Sequence, residues 1–173
     1  MNPRLLIFIA VVATACSQGD LKEPVEYNGP ISEAENVEMF YTEVDVIKVK
    51  MITPLMHEFK NQDRECPQGI YMEFYDETGR LESTLKANHA YYFKEQNQWR
   101  GRGNVIVKNI QKNEQLNTEE LFWKQSDKKI FTDKFVTIRQ QDDIIYGEGL
   151  EANEDMSDYT INKISGEFGV KEE

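Results

Sequence analysis

The sequence has little of what an enzyme or a metal site needs. It contains two histidines and two cysteines in 173 residues, and the spacing of His57 and His89 does not direct them to one metal ion. It has no HExxH motif, phosphate-binding glycine loop or nucleophile elbow. We therefore predict no catalytic residues, no metal site and no cofactor, and only the abundant carboxylates leave a hydrolase open as a minor alternative.

Basic residues are also scarce. Lys and Arg total 20 against 31 Asp and Glu, giving a formal net charge of −11, and no basic stripe is present. A nucleic-acid surface needs clustered bases to meet the phosphates, so the charge pattern argues against nucleic acid as a partner. Arg100 and Arg102 come closest to a basic pair, and we interpret them as exposed residues that aid solubility.

No hydrophobic run is long enough to cross a membrane as a helix, which takes about 20 residues. Residues 5–13 form a nine-residue apolar run after Arg4, an arrangement typical of a secretory signal peptide. Three small residues then precede Cys16. We expect a lipoprotein signal at residues 1–15 with Cys16 as the acylated first residue, and a plain secretory signal is the alternative.

Acyl chains on Cys16 would hold the protein at a membrane, because each buried methylene contributes about 0.8 kcal/mol. Residues 16–30 are polar and without periodicity, which predicts a tether, and the folded domain is expected at residues 31–173. Cys66 then has no cysteine to pair with. We interpret it as a small buried hydrophobe rather than a nucleophile.

A six-residue pattern recurs four times between residues 85 and 152. It consists of an apolar residue, any residue, a small residue, a polar or acidic one, any residue and a second apolar one. The copies begin at Leu85, Leu116, Ile130 and Ile145, at intervals of 31, 14 and 15 residues. Such fixed spacing is typical of stacked supersecondary units.

The two apolar positions of this pattern are five residues apart, so a regular strand would place them on opposite faces. A bulge or corner at the small–polar pair would turn both toward one interior. We therefore predict strands that bend around a common core. The acids Glu119, Asp133 and Glu148 are expected to accept the backbone N–H groups freed at the corners. An ordinary sandwich with evenly spaced strands is the alternative.

Alternating apolar residues and turn signals predict an all-β domain of stacked antiparallel strands. One or two strands are expected within residues 31–52, and residues 33–38 suggest a helical turn. Residues 55–63 are ambiguous between helix and strand. After residue 64 the pattern favours strands alone, and the free edges of the stack are expected near residues 44–51 and 161–168.

Seven segments, in their order and spacing, carry a resemblance to a known family. They are Tyr27-Asn28-Gly29-Pro30, residues 71–79, Leu85-Lys86-Ala87-Asn88-His89-Ala90-Tyr91, Gly103-Asn104-Val105-Ile106-Val107, residues 116–123, Thr132-Asp133 and Gly147-Glu148-Gly149-Leu150-Glu151-Ala152. Together they resemble the LptC family, the membrane-anchored periplasmic component of lipopolysaccharide export, in a Bacteroidetes-like lipoprotein form. The resemblance extends over residues 27–168.

This resemblance implies an elongated, twisted β-jelly-roll, the β-taco or OstA-like fold, with a groove for the lipid A acyl chains of lipopolysaccharide. It implies that an inner-membrane ABC transporter supplies the lipopolysaccharide and that a periplasmic bridge protein of similar fold receives it. Edge-strand addition is the expected mode of joining the two. The protein would be lipid-anchored at the periplasmic face of the envelope, with the inner membrane as the expected site. Familiar members have a transmembrane helix instead.

An acyl-chain groove needs inward apolar faces on successive strands and little buried charge. The residues expected to line it are Ile70, Met72, Phe74, Leu85, Val105, Val107, Leu121, Trp123, Phe135 and Ile138. The alternative function is a non-catalytic glycan-binding or structural envelope lipoprotein with a closed β-sandwich. In that case tyrosines such as Tyr71, Tyr75 and Tyr91 would stack on sugars.

Overall fold

The computed structural model describes residues 26–141 and 143–167, and nearly all of its regular structure is β-strand. Its eleven strands are β1 (Ser32–Glu43), β2 (Val46–Glu58), β3 (Arg64–Cys66), β4 (Ile70–Tyr75), β5 (Leu81–Ala87), β6 (His89–Phe93), β7 (Gln98–Asn109), β8 (Glu114–Lys124), β9 (Lys129–Gln140), β10 (Asp143–Asn153) and β11 (Tyr159–Glu167). A single 3-10 turn, Gln125–Asp127, follows β8. The all-β prediction is confirmed, whereas the predicted leader and its Cys16 lie outside the described residues.

The predicted helical turn at residues 33–38 is wrong. These residues belong to β1, which pairs with β2 from Ser32 opposite Glu58 to Glu43 opposite Val46. A lone helical turn gains too few hydrogen bonds to offset the cost of nucleation, whereas β2 offers a partner along its whole length. The ambiguous segment that follows is strand as far as Glu58.

The strands form an antiparallel meander, in which successive stretches of the chain lie side by side. β4 pairs with β5 while β3 pairs with β6, so β3–β4 and β5–β6 are each one bent strand with a short interruption. β7 continues the pattern, because residues 106–109 pair with β5 and residues 98–102 pair with β6. The sheet therefore divides along a line of corners into two halves.

We call these halves half-sheet A and half-sheet B. Half-sheet A contains β4, β5 and residues 105–109, 114–118, 136–140 and 143–148, and half-sheet B contains β3, β6 and residues 98–102, 121–124, 129–132 and 150–153. Their inner faces meet, since Phe74 of half-sheet A contacts Trp123 of half-sheet B edge-on with ring centroids 5.2 Å apart. The core lies between them.

Each of the four repeat copies contains a corner, and β7 has a further corner outside the copies. The pairing register shifts within residues 102–105 of β7, 118–122 of β8 and 148–150 of β10. Gly103 and Gly149 have φ angles of +71° and +79°, a conformation that glycine adopts without the penalty of a Cβ. The predicted bend at the small–polar pair is therefore confirmed.

Threonine hydroxyls satisfy backbone groups at two of the corners. Thr132 Oγ1 accepts a hydrogen bond from the backbone N–H of Lys134 at 3.1 Å, and Thr118 Oγ1 donates to the carbonyl of Phe135 at 2.9 Å. Both threonines are buried, where backbone groups lack water. Glu119, Asp133 and Glu148 are exposed instead, and within residues 26–141 and 143–167 Asp133 alone of the three accepts a hydrogen bond from a backbone N–H, its own, so the predicted role is wrong for Glu119 and Glu148.

The outer strands of the described sheet are β1 and β11. Within the described residues, β1 pairs with β2 and β11 pairs with β10. The edge predicted near residues 161–168 is therefore confirmed by β11. The edge predicted near residues 44–51 is wrong, because most of that segment belongs to β2 and lies between β1 and β4.

Candidate functional site

Nine of the ten residues predicted to line a groove are buried, none more than 5% exposed. They are Ile70, Met72, Phe74, Leu85, Val105, Val107, Leu121, Trp123 and Ile138. The structure brings them together between the half-sheets. Their contact with acyl chains stays a prediction.

Phe135 is the exception, and its predicted inward orientation is wrong. Its side chain is 59% exposed and stacks on Tyr146 on the outer face, with ring centroids 6.1 Å apart. Residues 132–135 of β9 lie opposite residues 148–150 of β10, so β9 carries one extra residue at this corner. This extra residue cancels the change of face that the repeat predicts, so β9 keeps one inner face at Ile130, Thr132, Val136 and Ile138.

A cavity of about 160 Å³ remains in the interior near β1. Its walls include Met39, Met51, Met72, Trp99 and Trp123. An engineered cavity of about 150 Å³ in another protein binds a single benzene molecule. The present space therefore suits a short apolar segment, and a whole fatty-acyl chain needs a wider interior. Unbranched methionines adapt readily to such a change, because their side chains repack at low cost.

The loop between β10 and β11, residues 154–158, closes the gap between the outer margins of the half-sheets. We call it the mouth loop. Ser83 Oγ donates a hydrogen bond to the Glu154 carbonyl at 2.9 Å, and Asn109 Nδ2 donates to the Asp155 carbonyl at 2.7 Å. Ser83 and Asn109 belong to half-sheet A, whereas the loop follows half-sheet B. These two bonds therefore fasten one margin to the other.

Met156 anchors the mouth loop to the core. It is 1% exposed although it lies in a loop, and its φ angle is +58°. A positive φ is uncommon for a residue with a Cβ and costs on the order of 1 kcal/mol or more. Burial of a methionine side chain contributes roughly 1.5–3 kcal/mol, which offsets that strain.

Glu154 holds a partly buried carboxylate beneath the mouth loop. Trp123 Nε1 donates a hydrogen bond to its Oε2 at 2.7 Å. Desolvation raises the pKa of Glu154, and the hydrogen bond from Trp123 and the charge of Lys128 act in the opposite direction. The ionised carboxylate is therefore less stable in this position than in water, which weakens the closed loop at neutral pH.

The β1–β2 hairpin closes the other part of the mouth. Lys128, which follows the 3-10 turn, pairs through Nζ with Glu43 Oε2 near the hairpin tip at 3.1 Å. Both side chains are partly exposed, and such surface pairs contribute less than about 1 kcal/mol. Phe40, Val44 and Ile47 project from the hairpin and are exposed. This end of the sheet thus presents apolar surface.

Two interpretations of charged residues change in the structure. Arg100 and Arg102 are not merely solubilising, because both Nε atoms approach Glu120 Oε2, at 2.7 and 3.3 Å.

His57 and His89, whose sequence spacing gave no reason to place them together, both lie beside Glu65, with nitrogen–oxygen distances of 3.7 and 3.0 Å. These contacts depend on cross-strand register, which the sequence does not display. Among the described residues no group of three or more His, Cys, Asp or Glu side chains is arranged so that it could hold a metal ion.

The three tyrosines considered for sugar stacking do not form one surface. Tyr71 and Tyr75 belong to β4 in half-sheet A, and the Tyr75 hydroxyl donates to Glu73 Oε2 at 2.6 Å. Tyr91 belongs to β6 in half-sheet B, beside a separate cleft. Tyr75 lines a different concavity of about 370 Å³, so the three tyrosines do not share one site.

The fold and the interior define the class of this protein: an antiparallel β-sheet folded over an apolar interior that ends in a small cavity. None of the described segments is an apolar helix of a length that crosses a bilayer. Residues 5–163 match the family described as "Lipopolysaccharide-assembly, LptC-related". The chain belongs to the LptC family, whose envelope-associated, non-enzymatic members take part in lipopolysaccharide transport. A comparison with curated proteins gives no match.

Proposed function

We propose that this protein receives lipopolysaccharide from an inner-membrane ABC transporter and passes it to a periplasmic bridge protein of similar fold. The lipid A acyl chains occupy the interior between the half-sheets during transfer. The observation that supports this most directly is the cavity near β1, of whose lining residues Arg64 alone is charged. An apolar interior with few polar groups suits fatty-acyl chains, and no catalysis is required.

The mouth loop moves when the acyl chains enter. The cavity of about 160 Å³ is too small for them, so the half-sheets must separate or the loop must leave. Release of the loop requires the loss of the bonds from Ser83, Asn109 and Lys112 and the exposure of Met156. Separation of the sheet would break many backbone hydrogen bonds, so release of the loop is the lower-cost route.

The two outer strands connect the protein to its neighbours. Within the described part of the chain, β1 and β11 lie at the edges of the sheet, where backbone groups can pair with a further strand. β1 is the strand nearest in sequence to Cys16, the proposed site of acylation, which supports the β1 end as the one closer to the membrane. The protein is accordingly a lipoprotein at the periplasmic face of the inner membrane. Labelling with a fatty-acid probe should occur in wild type and in Cys66→Ser, and should be absent in Cys16→Ser.

Photo-crosslinking tests the carrier function. A photoreactive phenylalanine analogue at Phe74 or Trp123, both on the inner face, should capture lipopolysaccharide in cells. Phe135 provides the matched control, because it is an aromatic residue of the same domain on the outer face. Capture at the inner positions alone supports the proposal. Equal capture at Phe135, or no capture at either inner position, contradicts it.

A further inference from the structure

A second concave site lies on half-sheet B. It is a cleft of about 440 Å³ between the segment that precedes β1, the turn between β2 and β3, and strand β6. Five aromatic residues contribute to its walls: Tyr27, Phe59, Tyr91, Tyr92 and Phe93. Core packing does not account for these five rings, because Tyr92 is the one among them that packs against the core.

Two of these rings lie next to each other with nearly parallel planes. Tyr91 and Phe93 are stacked, with ring centroids 6.4 Å apart and planes 20° from parallel. The His89 ring supports Tyr91 edge-on at 4.3 Å. The face of an aromatic ring carries partial negative charge and attracts C–H groups, so a cleft lined by aromatic rings suits the apolar face of a sugar ring.

The charges around the cleft are balanced. Its lining includes two basic residues, Lys60 and Arg64, and two acidic residues, Glu26 and Asp63. Asp63 is already occupied, because its carboxylate accepts hydrogen bonds from the backbone N–H of Lys94 and from Asn61 Nδ2, at 2.8 and 2.7 Å. Balanced charge gives no strong attraction for a bare phosphate or a polyanion. It suits a ligand that offers hydroxyl groups.

The cleft and the interior cavity share a wall. Arg64 and Tyr92 line both spaces, and the Arg64 guanidinium lies over the Tyr92 ring at 5.7 Å from its centroid. One side of this pair faces an apolar cavity and the other faces an aromatic and polar cleft. A single amphipathic molecule with both kinds of group therefore fits across it.

We propose that this cleft binds the saccharide portion of the glycolipid whose acyl chains enter the interior cavity. The inference rests on the proposed carrier function and adds a second subsite to it. The saccharide stacks on Tyr91 and Phe93, and Arg64 and Tyr92 separate it from the acyl chains. A carrier that holds both ends of its lipid fixes the orientation in which the lipid is passed on.

Tryptophan fluorescence separates the two subsites. Trp99 and Trp123, the two tryptophans of the sequence, both line the interior cavity and not the cleft. Their fluorescence therefore reports acyl chains that enter the interior. The full-length protein is titrated with lipopolysaccharide that carries core sugars and, separately, with palmitate, which has no sugar.

Tyr91→Ala should weaken binding of lipopolysaccharide about three- to tenfold, because an aromatic stacking contact contributes roughly 0.5–1.5 kcal/mol. It should leave the palmitate titration unchanged. Tyr91→Phe keeps the ring and should bind both ligands as wild type does. Tyr71→Ala removes a tyrosine from half-sheet A and serves as the matched control. Phe93→Ala repeats the test if Tyr91→Ala lowers the melting temperature.

The outcomes distinguish this inference from the carrier proposal. Loss of affinity for lipopolysaccharide alone supports the saccharide subsite. Unchanged affinity for lipopolysaccharide, or equal losses for both ligands, overturns it while palmitate binding by wild type still supports the carrier function. If wild type binds neither ligand, the carrier proposal fails and the subsite fails with it.

Discussion

Removal of the bonds that fasten the mouth loop should strengthen lipid binding even though it weakens the fold. The perturbation is Ser83→Ala combined with Asn109→Ala, which deletes the donors to the Glu154 and Asp155 carbonyls. Asn109 also accepts a hydrogen bond from the backbone N–H of Lys112. Lys112 lies in the turn between β7 and β8, and its Nζ donates to the Ser157 carbonyl of the mouth loop at 2.7 Å, a bond whose donor and acceptor the double variant keeps.

The magnitude follows from the two bonds. Each contributes about 1 kcal/mol net, so their loss shifts the ratio of closed to open loop by about 2 kcal/mol, or roughly 30-fold. Where only the open form accepts a lipid, the apparent affinity is the intrinsic affinity multiplied by the open fraction. Palmitate affinity should therefore rise by up to about 30-fold for as long as the closed form predominates.

Two measurements check this result. Palmitate is titrated against Trp fluorescence, and hydrogen exchange is followed at the backbone N–H of Met156, which donates to the Asn153 carbonyl in the closed loop. Thr84→Ala is the control, because Thr84 is a buried residue of the same strand as Ser83 and, among the described residues, no hydrogen bond joins its side chain to the mouth loop. The reasoning is refuted if exchange at Met156 accelerates while palmitate affinity stays at the level of the Thr84→Ala control.

Three further predictions concern individual side chains. Desolvation raises the pKa of Glu154 above its unfolded value, so stability is lost as pH rises from about 4 through the folded pKa. Glu154→Gln should therefore raise the melting temperature at pH 8 and have little effect at pH 4, and equal shifts at both values would contradict this. Burial raises the pKa of the Cys66 thiol to about 11. A Cys16→Ser protein should resist thiol reagents at pH 8 until guanidinium unfolds it, and rapid labelling of the native protein would show that Cys66 is accessible. Met156→Ala should cost about 2–5 kcal/mol in urea unfolding, whereas Phe135→Ser at the exposed outer face should cost less than about 1 kcal/mol. Similar costs for the two would mean that Met156 is not an anchor.

The bent strands and most of the inner face are predictable from the sequence, because both are local. Alternation of side chains has a period of two in any strand, so Val105 and Val107 must share a face wherever the strand lies. The five-residue spacing in the repeat requires one change of face, and the corners of β8 and β10 provide it. No partner strand needs to be known for either conclusion.

Phe135 shows where local reasoning ends. The repeat places it inward, but β9 carries one residue more than β10 at that corner, and this count depends on both strands. The same holds for His57 and His89, whose meeting at Glu65 depends on the registers of β2, β3 and β6. Register is fixed by packing across the sheet, which one strand's sequence does not contain.

The sequence alone determined the fold class, the corners and nearly all of the apolar inner face, because these follow from residue type and spacing along one strand. Tertiary structure alone decided that Met156 closes the interior and that Tyr91 lies beside Arg64 at a cleft. Ser83 and Glu154 are 71 positions apart along the chain. Whether such a distant contact forms depends on the position of the opposite half-sheet. The residues next to Ser83 or Glu154 in sequence therefore show no pattern that predicts it.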